Sequence, residues 1–180
     1  MTRFAGLRCS CAAMLTGMAR SYSEMRVSDD KFFDPVEARK KAMDYLARRE
    51  HGRGELLNKL TKFGFEPDVA EDAVAQLVED GLQSDTRFVE AFIRSRIGQG
   101  KGPARIRAEL REHDVTGSLI DAALANAEQD WYALAREVRL KKFGGSQPRD
   151  FKEKARQMRF LQSRGFEPDH IQSAVSAVDE

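Results

Sequence analysis

The sequence predicts an all-α fold of three tandem three-helix repeats that form an elongated, curved array, with a disordered N-terminal extension before them. The segment Gly64–Asp68 recurs letter for letter as Gly165–Asp169, 101 residues further along the chain. A shift of 50 residues aligns apolar positions of the first copy with those of a middle copy. Apolar residues follow helical spacing in all three copies, and no alternating strand pattern competes with it.

The predicted extension covers residues 1–34. Its first part, Met1 to about Ser23, carries three arginines and is only weakly apolar, so it lacks the continuous apolar segment of a secretory signal. We therefore expect disorder here. An upstream start assignment explains the segment at least as well as a targeting role does, with the protein beginning at Met14, Met18 or Met25.

The first repeat is predicted over residues 35–85, the second over 86–130 and the third over 131–180. In the first, apolar residues are spaced for three successive helices: Val36, Met43 and Leu46, then Leu56, Leu57, Leu60 and Phe63, then Val69, Ala70, Ala73, Val74, Leu77 and Val78. The second repeat shows the same order: Phe88, Val89, Phe92, Ile93 and Ile97, then Ile106 and Leu110, then Leu119, Ile120, Ala123, Leu124 and Ala127. The third repeat completes it: Trp131, Leu134, Ala135 and Val138, then Phe151, Met158 and Leu161, then Ile171, Ala174, Val175 and Val178.

The turn before each third helix has its own chemical signature. Asp68, Ser118 and Asp169 hold equivalent positions, and we expect them to cap the first helical turn, since their side chains accept hydrogen bonds from free N–H groups. The helix before the turn is expected to end in a left-handed residue, which is Gly64, Asp114 or Gly165 in the three repeats. A Gly64→Val substitution should therefore cost about 1 kcal/mol or more of stability.

Charge alternates in phase with the repeat. The chain has a net charge of +1, yet the balance is +4 over residues 36–63 and −7 over 64–85. In the second repeat the charge balance is +5 over residues 86–111 and −5 over 112–135. In the third it is +7 over 136–164 and −4 over 165–180. Charged helix faces are often only solvated surfaces, but solubilising charge has no reason to keep the period of the repeat. A basic stripe beside an acidic one suits a protein–nucleic acid assembly.

Several kinds of chemistry are disfavoured. Cys9 and Cys11 are the only cysteines, and their spacing excludes a disulfide scaffold and does not match zinc or redox pairs. The three histidines have no neighbouring nucleophile or ligand motif, and we interpret them as structural or solvated. The segment Gly98–Gly102 lacks the spacing of a phosphate loop, so it is interpreted as a linker, with Pro103 opening the next helix. We therefore expect no enzyme, cofactor, metal or membrane span.

The chain resembles the RecX family of recombination regulators over about residues 35–178. In the first repeat the resemblance rests on Tyr45–His51, Glu55–Leu60 and Gly64–Phe65. Further along the chain it rests on Arg87–Arg96, Lys101–Ile106, Lys152–Ala155 and Arg159–Phe166. One departure from the family pattern is Gly52 and Gly54, so we expect the second helix of the first repeat to start loosely.

The resemblance implies a small cytoplasmic bacterial protein of three three-helix repeats that acts in DNA recombination and repair and in the SOS response. Such a protein binds the RecA recombinase and dampens its filament growth, ATP hydrolysis, strand exchange and co-protease activity by lying in the filament groove or capping filament ends. We expect a monomer whose basic helices contact single- and double-stranded DNA weakly. An alternative is a transcription factor whose three-helix units are helix-turn-helix modules.

Basic residues on the first two helices of each repeat are the predicted contacts to RecA or DNA. They are Arg48, Arg49, Arg53, Lys59, Arg94, Arg96, Lys101, Arg105, Arg107, Arg111, Lys152, Lys154, Arg156, Arg159 and Arg164.

Overall fold

The structure is a computed structural model that describes residues 30–146 and 148–176. The predicted disorder of the N-terminal extension therefore falls mostly outside the described residues. The described part opens with a 3-10 helix at Lys31–Phe33, whose Phe32 packs against the first core.

Nine α-helices, and no strand, are present in the described ranges. They group in threes: α1 (Pro35–Leu46), α2 (Arg53–Phe63) and α3 (Pro67–Glu79); α4 (Asp85–Gly98), α5 (Pro103–Arg111) and α6 (Gly117–Asn126); α7 (Trp131–Phe143), α8 (Phe151–Ser163) and α9 (Pro168–Ser176). The all-α prediction of three tandem three-helix repeats is confirmed. Pro103 opens α5 at its first turn, as its place after the glycine-rich linker predicted.

Each unit has its own apolar core. Leu56, Leu60 and Leu77 are fully buried in the first, and separate clusters form around Ile106 in the second unit and Leu161 in the third. No two helices of different units pack as extensively as helices within a unit do. The units therefore follow one another in series, as short repeats that bury little surface alone are expected to do.

The buried face of α1 differs from the predicted one. Val36 is 68% exposed and Met43 is 45% exposed, whereas Ala38 and Ala42 are fully buried. The small alanines let α1 lie close to α3, its most extensive packing partner in the first unit. Large apolar side chains therefore do not mark the buried face of α1, because two helices can approach closely only where their side chains are small.

The turn between the second and third helix is built as predicted. Gly64, Asp114 and Gly165 all have positive φ, at 121°, 60° and 86°. In each turn the N–H of the following residue donates to the carbonyl of a leucine five residues earlier, at 3.1, 3.4 and 3.2 Å. This bond satisfies carbonyls that the helix end would leave open.

The capping prediction for the third helices was wrong. Asp68 and Asp169 lie inside the first turns of α3 and α9, because Pro67 and Pro168 already occupy the first helical position. Ser118 is likewise inside α6, whose N-cap is Thr116. Proline suits the first helical position because its φ is preset and its missing N–H has no intrahelical partner there.

Candidate functional site

Basic side chains of the first unit converge on one carboxylate. Arg49 forms a two-pronged ion pair with Glu55, His51 Nδ1 lies 3.1 Å from Glu55 Oε1, and Lys59 Nζ lies 3.9 Å from it. Burial would raise the pKa of Glu55, but the hydrogen bond from Arg49 and the charges of His51 and Arg49 lower it overall. Arg49 and Lys59 are thus already engaged within the protein.

In the second unit, two arginines form ion pairs with one carboxylate. Arg96 Nε lies 2.5 Å from Glu109 Oε2, and Arg105 Nε lies 2.7 Å from Glu109 Oε1. The burial of Glu109 would raise its pKa, but the hydrogen bonds from Arg105 and Arg96 outweigh it and lower the pKa. Arg96 on α4 thus ties α5 to α4 through Glu109, whereas Arg105 pairs with Glu109 within α5.

Arg107 joins two units. Its Nε lies 3.1 Å from Asp121 Oδ1 within the second unit, and its Nη1 lies 3.0 Å from Glu167 Oε1 in the third. Burial would lower the pKa of Arg107, and the hydrogen bonds to the two carboxylates raise it overall. This predicted contact residue therefore has a structural role between units.

In the third unit, two predicted contact residues lie over aromatic rings. The Arg156 guanidinium is 5.9 Å from the centroid of Phe143, and that of Arg164 is 5.3 Å from the centroid of Phe160. Arg164 also donates to the Gln99 carbonyl at 3.4 Å. Cations above rings are held by electrostatic attraction yet keep donors available at the surface.

The remaining predicted contacts have no side-chain ion pair with any described residue. They are Arg48, Arg53, Arg94, Lys101, Arg111, Lys152, Lys154 and Arg159. The structure thus separates the fifteen predicted residues into an engaged set and this set, which we call the free cations. The acidic part of the charge alternation is also at the surface. In α3 the exposed carboxylates are Asp68, Glu71, Asp72 and Glu79.

Sequence reasoning missed the junctions between units. At the second junction, Gly102 N–H donates to the Arg164 carbonyl at 2.9 Å and Ala104 N–H donates to the Gly165 carbonyl at 3.1 Å. A Cβ on Gly102 would lie 2.3 Å from the Gly165 oxygen, so only glycine fits. The first residues of α5 in the second unit thus pack against the turn between α8 and α9 in the third unit.

The first junction uses the equivalent glycine, Gly52, but contacts the start of the first helix of the next unit. Arg53 N–H donates to Asp85 Oδ1 at 2.8 Å, and a Cβ on Gly52 would lie 3.1 Å from the Phe88 ring. The expectation of a loose start for α2 was therefore wrong, since a neighbouring unit supplies the missing cap. A recurring glycine at residues 52 and 102, one repeat apart, was the signal that could have revealed it.

The histidines pack as structural residues. His51 is buried beside the Tyr45 ring, His113 contacts the rings of Phe88 and Phe92, and His170 Nδ1 accepts from the Glu167 N–H at 3.3 Å. Within residues 30–146 and 148–176, no group of three or more His, Cys, Asp or Glu side chains is placed to hold a metal ion. The cysteines lie outside these ranges. No helix in the described portion is long and apolar enough to cross a membrane.

Three domain models of one family match the chain in order. They are described as the first, second and third three-helix domains of RecX, and they match residues 38–77, 84–124 and 128–175. Each match covers most of the three helices of one unit.

Curated proteins of similar sequence align with most of the chain. A regulatory protein RecX from Halorhodospira halophila is 46% identical over 139 residues, which cover 77% of this chain and 86% of the relative. A regulatory protein RecX from Pseudomonas putida is 46% identical over 145 residues, which cover 81% of this chain and 93% of the relative. These relatives are named as regulatory proteins and not as enzymes.

Solved structures share the fold. A crystal structure of regulatory protein RecX aligns with a TM-score of 0.68 at 20% identity, covering 85% of this chain and 76% of that one. A crystal structure of RecX from Lactobacillus salivarius aligns with a TM-score of 0.64 at 20% identity, covering 83% and 97%. With three matching domain models and relatives that align over most of their length, the chain belongs to the RecX family of regulatory proteins.

Proposed function

We propose that this chain binds the RecA recombinase on its DNA filament and inhibits filament growth, ATP hydrolysis, strand exchange and co-protease activity. It does so as a cytoplasmic monomer without a cofactor, by occupying the filament groove or capping filament ends. The regulatory role of its relatives supports the general class of function. The contact to DNA and recombinase is supported by the arrangement of charge.

The observation that carries the proposal is the alternation of charge in phase with the repeats. The first two helices of every unit are net positive, and the segment from the following turn through the third helix is net negative. A series of such units presents positive charge at regular intervals to DNA phosphates, and negative charge to basic surfaces of recombinase subunits.

The free cations are the better candidates for phosphate contacts. A side chain already paired with a carboxylate would have to give up that partner before it could bind a phosphate. We therefore assign Arg49, Arg96, Arg105 and Arg107 to holding the fold, and the free cations such as Arg94 and Arg111 to the DNA.

The test reverses two free cations of the second unit together, Arg94→Glu and Arg111→Glu. We expect the concentration that half-inhibits RecA strand exchange at physiological salt to rise about tenfold, which corresponds to about 1.4 kcal/mol of lost binding free energy. Circular dichroism melting of the variant checks that the fold is retained.

The matched control makes the same change in charge at Lys40→Glu and Arg136→Glu. Both side chains are exposed, and neither is among the predicted contacts. The control should inhibit strand exchange like the wild type. Equal inhibition by the test variant and the control would show that the free cations of the second unit are not the binding face.

A further inference from the structure

A cleft of about 580 Å³ lies where the second unit meets the third. Its walls come from the end of α4 and the linker after it, from one side of α7, and from the last turns of α8. This volume is within the range of sites that hold small ligands. Of the residues that line it, only Arg164 is among the predicted contacts.

The inner wall of the cleft is apolar and partly aromatic. Ile97, Val138 and Phe160 line it, and all three are partly buried where they pack on the third core. The Phe160 ring is held on edge against Phe143, with 5.3 Å between ring centroids and planes at 87°. The orientation of the ring is therefore set by its neighbour before any ligand arrives.

The outer edge of the cleft is cationic. Lys141, Lys142 and Arg164 line it. Lys141 Nζ lies 2.6 Å from Glu137, whereas Lys142 makes no ion pair with a described residue. The Arg164 hydrogen bond to the Gln99 carbonyl is long, at 3.4 Å, and a charged acceptor would compete well for this donor. Two positive groups thus border the apolar wall: Lys142, and Arg164, whose guanidinium lies above the Phe160 ring.

We propose that this cleft receives one base of a single-stranded nucleic acid, with the base against Ile97, Val138 and Phe160 and an adjacent phosphate at Lys142 and Arg164. Stacking of bases on aromatic rings beside cations that follow the backbone is the usual way in which proteins hold single strands. The inference rests on the proposed DNA contact and extends it, because it adds recognition of the base to attraction of the phosphates.

The experiment compares two strands of equal charge by fluorescence anisotropy at physiological salt: a labelled strand of about 20 thymidines, and an abasic strand of the same length. The wild-type protein should bind the thymidine strand at least about fivefold more tightly. Ala133→Leu fills part of the cleft with a bulky aliphatic side chain and adds neither charge nor an aromatic ring, since Ala133 is an exposed lining residue. This variant should bind both strands with the affinity that the wild type shows for the abasic one.

The control is Ala122→Leu, at an exposed alanine of α6 that does not line the cleft, and it should keep the wild-type preference. Lys142→Gln should weaken binding of both strands. Equal binding of the two strands by the wild type would overturn the proposal, as would an unchanged preference in Ala133→Leu. Loss of RecA binding in Ala133→Leu with the strand preference intact would mark the cleft as a protein site, and would also overturn the proposal.

The two proposals fail separately. If the wild type prefers the thymidine strand and the Ala133 variant loses this preference, but the wild type does not inhibit RecA strand exchange, the proposed function is wrong and the assignment of the cleft stands. If the wild type inhibits strand exchange but binds both strands alike, the cleft assignment alone is wrong.

Discussion

At the junction between the second and third units, the close approach of two backbones requires glycine. Gly102 lies against the backbone of the next unit, and an added Cβ would be 2.3 Å from the Gly165 oxygen and 2.4 Å from its carbonyl carbon. Backbone atoms cannot move aside as the end of a flexible side chain can. The junction must therefore open if this residue gains a side chain.

We expect Gly102→Ala to lower the free energy of unfolding by about 2 kcal/mol or more, because steric overlap of this kind is among the strongly destabilising changes. Urea unfolding followed by circular dichroism measures it. Gly117→Ala is the control, since a Cβ added there would meet no atom within 4 Å and alanine favours helix. Similar midpoints for the two variants would contradict the close approach at Gly102.

A single histidine should make stability depend on pH. His51 is only 3% exposed, and burial lowers its pKa despite the opposing effect of Glu55. As pH falls through about 6.5, the unfolded chain gains a proton at this residue while the folded chain does not. The stability contributed by a neutral His51 is therefore present above about pH 6.5 and is lost below it.

The measurement is the free energy of unfolding of the wild type and His51→Gln at several pH values between about 5.5 and 7.5. The variant has no proton to gain at this position, so its stability should change less across this range. Identical pH dependence in both proteins would show that His51 does not titrate differently on folding.

At the level of helices, one unit is capped by a side chain of the next. The N-cap of α2 is Gly52, which has no side chain to accept a hydrogen bond. Asp85, at the start of α4, accepts from the Arg53 N–H at 2.8 Å and from Gln83 Nε2 at 2.8 Å. Gln83 Nε2 also donates to the His51 carbonyl, so three polar groups at this junction satisfy one another.

Removal of this cap should be measurable. We expect Asp85→Ala to cost about 1 kcal/mol, a typical value for loss of a capping side chain. Asp85→Asn keeps the acceptor oxygen and should recover most of that loss, in denaturant midpoints measured side by side. If Asn were as damaging as Ala, the charge of Asp85 in the first turn of α4 would be the important property, and not the cap.

Across the molecule as a whole, the number of available cations should set how DNA binding responds to salt. Each phosphate neutralised by the protein releases bound counterions, so the logarithm of the binding constant falls linearly with the logarithm of salt concentration. Only cations that actually meet phosphates contribute to this slope.

We expect Arg94→Gln to reduce the slope for single-stranded DNA by about 0.7, the value for one lost phosphate contact. Arg107→Gln should reduce it less and lower stability instead, since Arg107 is engaged by Asp121 and Glu167. Titrations at several salt concentrations give both slopes. A larger change in slope for Arg107→Gln than for Arg94→Gln would reverse the assignment of free and engaged cations.

The amino-acid sequence alone was enough to predict the repeat, the three helices of each unit, the left-handed turns at Gly64, Asp114 and Gly165, and the family. These features depend on residues a few positions apart, where spacing and backbone preference act directly. Even at this range the predicted caps at Asp68 and Asp169 were wrong, because proline at the first helical position competed with them.

Which cations are free, and where the units touch, became known only from the packing of the folded chain. Arg107 and Glu167 are 60 residues apart, and Arg53 and Asp85 are 32 apart. Such pairs depend on how one unit packs on the next, so no local sequence pattern predicts them. The cleft beside Phe160 has the same origin, since its walls come from three helices in two units.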